Sequence, residues 1–353
     1  ILPDCRNFSA PDSIVPDIGA ASWYAQGMNW DQLATRVIEG HRTTQEEALE
    51  IVRSDHRELL TVMNAAYRVR RHFHGLEVKV HVLQNAKSGV CREDCSFCSQ
   101  SLKYNSGVKQ YGMQDVSTLV DGAREAADKG AVTYCMVTAT RGPSSREMET
   151  VMEAARRIKQ EMPGIRLCAS LGMLKPGQAD KLVEAGIDRY NHNLETSPSY
   201  FPNIVSTHSI DDRIATVRNA RKAGLEACCG GILGMGETHQ DWVELALTLR
   251  ELEVESVPLN FLDPRPGTPL ADSKRIEPSD ALMGLAMFRF VHPEADLRVA
   301  GGREVTLRSL QPLALYAANS IFTSGYLTTD GAKPSADWQM IVDAGFVPAQ
   351  ASA

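Results

Sequence analysis

Short runs of β-branched and aromatic residues alternate with amphipathic stretches along most of this chain. The runs are VKVHVLQN from Val78, VTYCMVTA from Val132, RLCASLG from Arg166, DRYNHNLE from Asp188, EACCGGILG from Glu226, VESVPLNFL from Val254, DLRVAGG from Asp296 and NSIFTSG from Asn319. They read as eight strands separated by helices. Pro176 lies near the start of one helix, and Gly186 and Gly224 follow the ends of two others. Regular βα alternation implies a parallel sheet, and eight units suit a closed (β/α)8 barrel of the TIM type, an α/β fold. An open doubly wound sheet is the alternative, but no G-x-G-x-x-G follows the first strand. In a barrel, chemistry belongs at the C-terminal ends of the strands.

From Met28 to about His74 the pattern is helical, with Thr44 to Glu47 as a capping box. The first 27 residues are rich in Pro, Ser, Ala and Gly without a sustained period, and are expected to be a disordered extension. Met28-Asn29-Trp30 opens the first amphipathic stretch, so the natural start is expected there. The expected division is an extension over 1–27, a helical segment over 28–75, the barrel over 76–330, and a C-terminal helix and tail over 331–353.

A chain of 353 residues that is 43% hydrophobic can bury a large core. Its apolar runs fall short of the roughly 18 residues that a bilayer span needs, and no signal peptide opens it, which predicts a cytoplasmic protein without a membrane partner. With a net charge of -7 and scattered cations, a nucleic acid is not the expected partner. A small-molecule substrate fits better. Eight cysteines in such a chain are read as metal-binding or redox residues rather than a disulfide framework, although a single free Cys usually packs as a small apolar side chain.

The sharpest local signal is GVCREDCSFCSQS, which sets Cys91, Cys95 and Cys98 at C-x-x-x-C-x-x-C spacing directly after the first strand. Three thiolates can hold three irons of a [4Fe–4S] cluster and leave the fourth iron open to a chelating ligand. Structural zinc normally takes four ligands, and no fourth follows nearby. An electron-carrying ferredoxin would also use four cysteines per cluster. The spacing resembles the radical SAM superfamily, in which S-adenosylmethionine (SAM) chelates the open iron, and Phe97 matches the aromatic position beside the adenine.

Cys135, Cys168 and Cys228 fall in the second, third and fifth predicted strands, and Arg298 lies at a comparable height in the seventh. Each one alone reads as core; together they could face one point inside a barrel and hold a smaller cluster. Neighbours on a strand face opposite ways, so of Cys228 and Cys229 only one should point inward.

From Met28 to about Pro348 the chain resembles the biotin synthase family. The segments carrying the likeness are KSGVCREDCSFCSQS, YNHNLETS from Tyr190, GGILGMGET from Gly230, VPLNFLDPRPGTPL from Val257, LRVAGGRE from Leu297 and AANSIFTSGYLTT from Ala317. The triple-Cys motif alone would mark only the superfamily; maturase-like or methylornithine-synthase-like enzymes share it without requiring the second ligand set.

The resemblance implies that Cys91, Cys95 and Cys98 hold the SAM-binding [4Fe–4S] cluster and act in catalysis, and that Cys135, Cys168, Cys228 and Arg298 hold a [2Fe–2S] cluster that donates sulfur. It implies that Asn191, Asn193 and Asn260 bond the ureido ring of dethiobiotin and SAM, a role that suits amides. It places Arg213 on the SAM carboxylate, Glu195 on the ribose hydroxyls where relatives often carry Asp, and Gly231, Gly234 and Glu237 near the adenine. Lys87 matches a basic position near the cluster, with a solvated loop Lys as the alternative. His192 is expected to turn away from the face shared by Asn191 and Asn193. The implied reaction uses a 5'-deoxyadenosyl radical to abstract hydrogen from dethiobiotin, and forms biotin with sulfur from the inner cluster. The implied partners are a reduced flavodoxin or ferredoxin and a second copy of the chain in a homodimer.

Overall fold

Asn29 accepts a hydrogen bond from the Gln32 amide and caps the first helix, α1 (Trp30–Ile38). This computed structural model describes residues 28–328, 331 and 333–350. The expectations for residues 1–27, including the position of the natural start, therefore lie outside the described residues. Helix α2 (Gln45–Arg53) begins with the expected capping box: the Thr44 hydroxyl accepts from the Glu47 N–H at 3.2 Å, and the Glu47 carboxylate accepts from the Thr44 N–H at 2.8 Å. Helix α3 (Leu59–His74) stops at Gly75, whose φ of 59° suits glycine.

Strand β1 (Glu77–Lys87) opens the barrel, followed by β2 (Thr133–Thr138), β3 (Arg166–Ser170) and β4 (Arg189–Asn191). The fifth stave is split into β5 (Glu226–Cys228) and β6 (Gly231–Leu233), and β7 (Ser256–Phe261), β8 (Asp296–Val299) and β9 (Ser320–Phe322) complete the set. Strand β9 pairs with β1, so the sheet closes, and every pairing round it is parallel. The expected eight-stave barrel is present. The break in the fifth stave was not anticipated. Its cause is the close approach of Gly230 to β7, where a Cβ would lie 1.9 Å from the Pro258 carbonyl oxygen.

Helices α4 (Val116–Asp128), α5 (Ser145–Glu161), α6 (Gln178–Glu184), α7 (Ile210–Lys222), α8 (His239–Glu251) and α9 (Pro278–Val291) cover the outside. Short helices α10 (Arg303–Leu307) and α11 (Gln311–Ala314) lie between β8 and β9. After β9, helix α12 (Pro334–Asp343) leads to β10 (Val347–Pro348), which pairs with the first residues of β1. No helix among the described residues is long and apolar enough to cross a membrane.

Helix α9 explains why the chain opens with helices. Every residue from Ala281 to Val291 is buried, so the helix needs cover on its outer face as well as its inner one. Leu33, Ile51, Val62 and Val69 of α1–α3 join Leu285, Phe288 and Phe290 in one apolar core. The one charged residue in that run, Arg289, donates to the carbonyl oxygens of Ala317 (2.8 Å) and Ala295 (3.0 Å) and to Asn319 Oδ1 (2.6 Å). Burial pushes its pKa down to about 9.

The next residue but two, His292, donates from Nε2 to the Ala246 carbonyl oxygen at 2.9 Å, and burial lowers its pKa to about 3. His74 is also lowered to about 3, by burial first and then by Arg289. Below the ordinary imidazole value of 6.5 the unfolded chain takes up protons that the folded chain refuses. Stability should therefore fall as pH drops from 6.5 towards 5, by up to about 1.4 kcal/mol per pH unit for each such histidine. Urea denaturation at pH 7, 6 and 5 checks this, and H292Q, which keeps the donor to Ala246, should show a shallower decline.

Candidate active site

The loop between β1 and α4 places the first three cysteines at the C-terminal mouth of the barrel. The Cys98 N–H donates to Cys95 O (2.9 Å), Cys91 N–H to Gln100 O (3.1 Å) and Leu102 N–H to Cys91 O (2.7 Å), which folds the loop back on itself. Ser96 N–H donates to Ile204 O at 2.9 Å and ties the loop to the segment after β4. The three thiols line a cavity of about 160 Å³ together with Phe97, Asn191, Asn193, Glu195 and Arg213. Burial raises all three thiol pKa values, that of Cys98 to about 11, and Arg213 opposes the rise at Cys95, whose Sγ lies 3.7 Å from the guanidinium.

A second cavity of about 190 Å³ lies deeper in the barrel and is lined by Cys135, Cys168, Cys228 and Arg298. Cys135 and Cys168 are lateral partners on β2 and β3, and Asn191 on β4 is the lateral partner of Cys228. The Cys168 thiol hydrogen-bonds both of the others; contact with Cys135 drives its pKa well above the usual thiol range, and contact with Cys168 does the same to Cys228. Arg298 donates to Cys228 Sγ at 3.7 Å, lies 4.9 Å from the Phe322 ring centroid, and keeps a buried Nε without a partner. Among the described residues, no three His, Cys, Asp or Glu side chains converge as they would around a single metal ion. The thiols line spaces rather than one coordination point.

Beneath the inner cavity, one carboxylate organises two cations. Asp296 Oδ2 accepts from Arg189 at 3.2 Å and Arg298 at 3.3 Å, its Oδ1 accepts from Ser320 Oγ at 2.5 Å, and His81 Nε2 stands 3.7 Å away. Burial would raise the Asp296 pKa, but Arg298 and Arg189 hold it well below the carboxylate range, whereas burial pushes His81 well below the imidazole value and keeps its ring neutral. Arg189, His81 and Asp296 were not singled out in the sequence. Their signal was alternation: Arg189 stands two residues before Asn191 and Asp296 two before Arg298, on the same strand face.

The two cavities share a wall that includes Asn191, Asn193 and Glu195. Asn191 Nδ2 donates to Asn193 Oδ1 (3.2 Å) and Cys228 Sγ (3.3 Å). Asn260 lines the inner cavity with its amide held by Gly231 O (3.2 Å) and Gly301 N–H (2.9 Å). Glu195 takes a φ of 73°, a region where Asn and Asp are the more frequent non-glycine residues. Arg213 donates to Asn193 O at 2.7 Å and Glu195 at 3.4 Å. Burial raises the Glu195 pKa against these partners.

Other residues lie elsewhere. Gly231 and Gly234 line neither cavity. A Cβ on Gly231 would sit 2.7 Å from the Glu195 carbonyl oxygen, and Gly234 has a φ of 100°. Glu237 accepts from Gly234 N–H and Trp242 Nε1, both at 2.6 Å, and so braces that turn. Lys87 pairs with Glu147 at 2.6 Å. Cys228 faces the inner cavity, whereas Cys229 is fully buried in the outer core. His192 is buried and borders the upper cavity, but it is absent from the inner one that Asn191 and Asn193 both line. The His192 N–H donates to the Cys228 carbonyl oxygen at 2.9 Å, which continues the pairing of β4 with β5 by one residue.

Residues 86–249 match the radical SAM superfamily, and residues 258–347 match the biotin and thiamin synthesis associated domain. Methylornithine synthase has a similar fold (TM-score 0.78, 18% identity, 90% of this chain and 97% of that one), as does the FeFe-hydrogenase maturase HydG from Carboxydothermus hydrogenoformans (TM-score 0.78, 16% identity, 92% and 80%). The fold and thiol loop thus define a radical SAM enzyme, whose chemistry employs a [4Fe–4S] cluster and SAM. Among curated relatives, biotin synthase of Salinibacter ruber is 61% identical over 90% of this chain and 89% of its own length. The enzymes of Geobacillus kaustophilus (50%, covering 90% and 95%) and Bacillus subtilis strain 168 (47%, covering 90% and 94%) extend the likeness. The chain belongs to the biotin synthase family, and its activity is radical SAM-dependent sulfur insertion that forms biotin.

The Asp296 centre can be tested without any cofactor. Asp296→Ala leaves Arg189 and Arg298 buried without their shared counter-charge, and should lower unfolding stability by about 3–5 kcal/mol in chemical denaturation. D296N, which keeps the volume and one acceptor, should lose less.

Proposed function

We propose that the upper cavity holds the SAM-binding [4Fe–4S] cluster on Cys91, Cys95 and Cys98, and that the inner cavity holds a [2Fe–2S] cluster on Cys135, Cys168, Cys228 and Arg298. Dethiobiotin lies between them against Asn191, Asn193 and Asn260. The observation that carries this reading is the sorting of six cysteines into two sets around adjacent cavities with a common wall. The donor sets fit. Six thiols without a compensating cation are costly to ionise in a buried site, and bound iron would supply that charge. The unpartnered Nε–H of Arg298 belongs to the same inner cavity.

When bound, the clusters and SAM supply a carbon radical strong enough to take hydrogen from an unactivated C–H bond, and a sulfide to replace it. The chain supplies position and enclosure. Arg213 offers a planar fork of donors to the SAM carboxylate, and Glu195 offers acceptors to the ribose hydroxyls. Phe97 lies against the adenine, and Gly231, which has no side chain, lets its strand pack closely behind the Glu195 backbone of that wall. Asn191, Asn193 and Asn260 present amide donors and acceptors to a neutral ureido ring, and the hydrogen bonds that already hold these amides fix their directions. The wall's half-buried amides sit inside the barrel, which limits the access of water to the reacting carbon. In the same reading, a reduced flavodoxin or ferredoxin delivers the electrons, and the enzyme works as a cytoplasmic homodimer.

Anaerobic reconstitution with iron and sulfide, followed by assay with SAM, dethiobiotin and reductant, tests the assignment. Cys135→Ala should abolish biotin formation yet still cleave SAM to 5'-deoxyadenosine, because only the inner set is broken. Full biotin formation by that variant would remove the inner ligand set; loss of SAM cleavage along with biotin would remove the separation of the two sites.

A further inference from the structure

The residue between the first two cysteines of the loop that is most buried, Glu93, takes no part in the assignment above. Its side chain is 7% exposed, and the His208 side chain beside it is 2% exposed. Glu93 Oε2 lies 2.5 Å from His208 Nδ1, and His208 Nε2 lies 3.0 Å from Arg213 Nε. Arg213 Nε carries a hydrogen and has no lone pair to offer, so His208 Nε2 must be the acceptor of that bond. The ring's one proton then sits on Nδ1 and is donated to Glu93. The carboxylate is held in turn by Thr207 Oγ1 at 2.5 Å and by Arg141 at 3.1 Å. With its Nε committed to His208, Arg213 has its two terminal nitrogens turned to Asn193 O, Glu195 and Cys95 Sγ. Phe201 closes the side of the relay, 5.7 Å from both the His208 ring and the Arg213 guanidinium.

We infer that Glu93 and His208 are positioning residues: Glu93 fixes the His208 tautomer, and His208 anchors Arg213 so that its terminal nitrogens face the carboxylate of SAM. This deepens the proposed function and rests on its placement of SAM at Arg213. The geometry adds a coupling that the placement alone lacks. Glu93 belongs to the cysteine loop, whereas His208 and Arg213 precede and begin α7. A displacement of the loop therefore reaches the group that grips the ligand.

The test uses the full chain with its clusters reconstituted anaerobically, and reads SAM affinity from the spectral change of the reduced cluster on titration with SAM. A hydrogen bond to a charged group contributes enough that H208L should weaken SAM binding about tenfold, with iron content unchanged. H208Q, whose amide oxygen reaches the Nε2 position, should recover most of that loss, and E93Q should fall between the two. In the double variant H208L/R213M the two effects should not add, because His208 acts through Arg213. Wild-type SAM affinity in H208L, or strict additivity in the double variant, overturns the relay. If R213M itself binds SAM as the wild type does, the placement of SAM at Arg213 fails instead, so the two failures are distinguishable. If H208L does not take up iron, the decision passes to H208Q and E93Q: E93Q binding SAM as the wild type does overturns the role of Glu93, and H208Q binding no better than R213M overturns that of His208.

Discussion

Asp296 gathers two buried guanidiniums, a hydroxyl and an imidazole at the centre of the barrel. All are buried, so the two guanidiniums and the hydroxyl depend on this carboxylate for their solvation. Arg189 ties the centre outward to Glu226, and Arg298 carries it upward to Cys228. The floor of the inner cavity is therefore set by electrostatic necessity as much as by packing. The thiols above it sit on strands β2, β3 and β5, and Arg189 on β4 links that floor to the stave between the last two.

The outer thiols are held by different means. Their loop is folded by its own backbone hydrogen bonds and pinned to the segment after β4, not by strand register. The wall common to both cavities joins these two kinds of order. Asn191 is the last residue of a strand, and Asn193 and Glu195 lie beyond it in irregular backbone. The left-handed conformation at Glu195 is the sort of local strain that accumulates where a chain must present particular groups.

Much of this was legible in the chain. The eight β-rich runs became eight staves because period-two alternation and helical periodicity are local properties. Cys91, Cys95 and Cys98 were legible because their spacing is short. Cys135, Cys168 and Cys228 could be grouped because a barrel brings strand interiors to one axis. What stayed hidden depended on distance in sequence or on broken regularity. Glu93 and His208 are separated by 115 positions, and neither residue type stands out alone. The split at Gly230 depends on the proximity of Pro258, which no local pattern encodes. The roles of Gly231 and Gly234 were drawn from a motif, whereas their surroundings in the fold are the Glu195 backbone, Leu245 and Ile276.

The lateral pairing of Cys135 with Cys168 also bears on how such a site could change over generations. Neighbouring strands in a sheet stand about 4.8 Å apart, and that distance is set by backbone hydrogen bonds rather than by any side chain. The spacing of these two thiols is thus inherited from the sheet itself, and a one-residue insertion in β2 would send Cys135 to the opposite face. Substitutions in the outer helices leave the dimension untouched. The inner site is consequently built to a fixed gauge, whereas the loop bearing Cys91, Cys95 and Cys98 can lengthen, shorten or bend without rebuilding the barrel. Divergence in chemistry on this scaffold has its easier route through the mouth than through the floor.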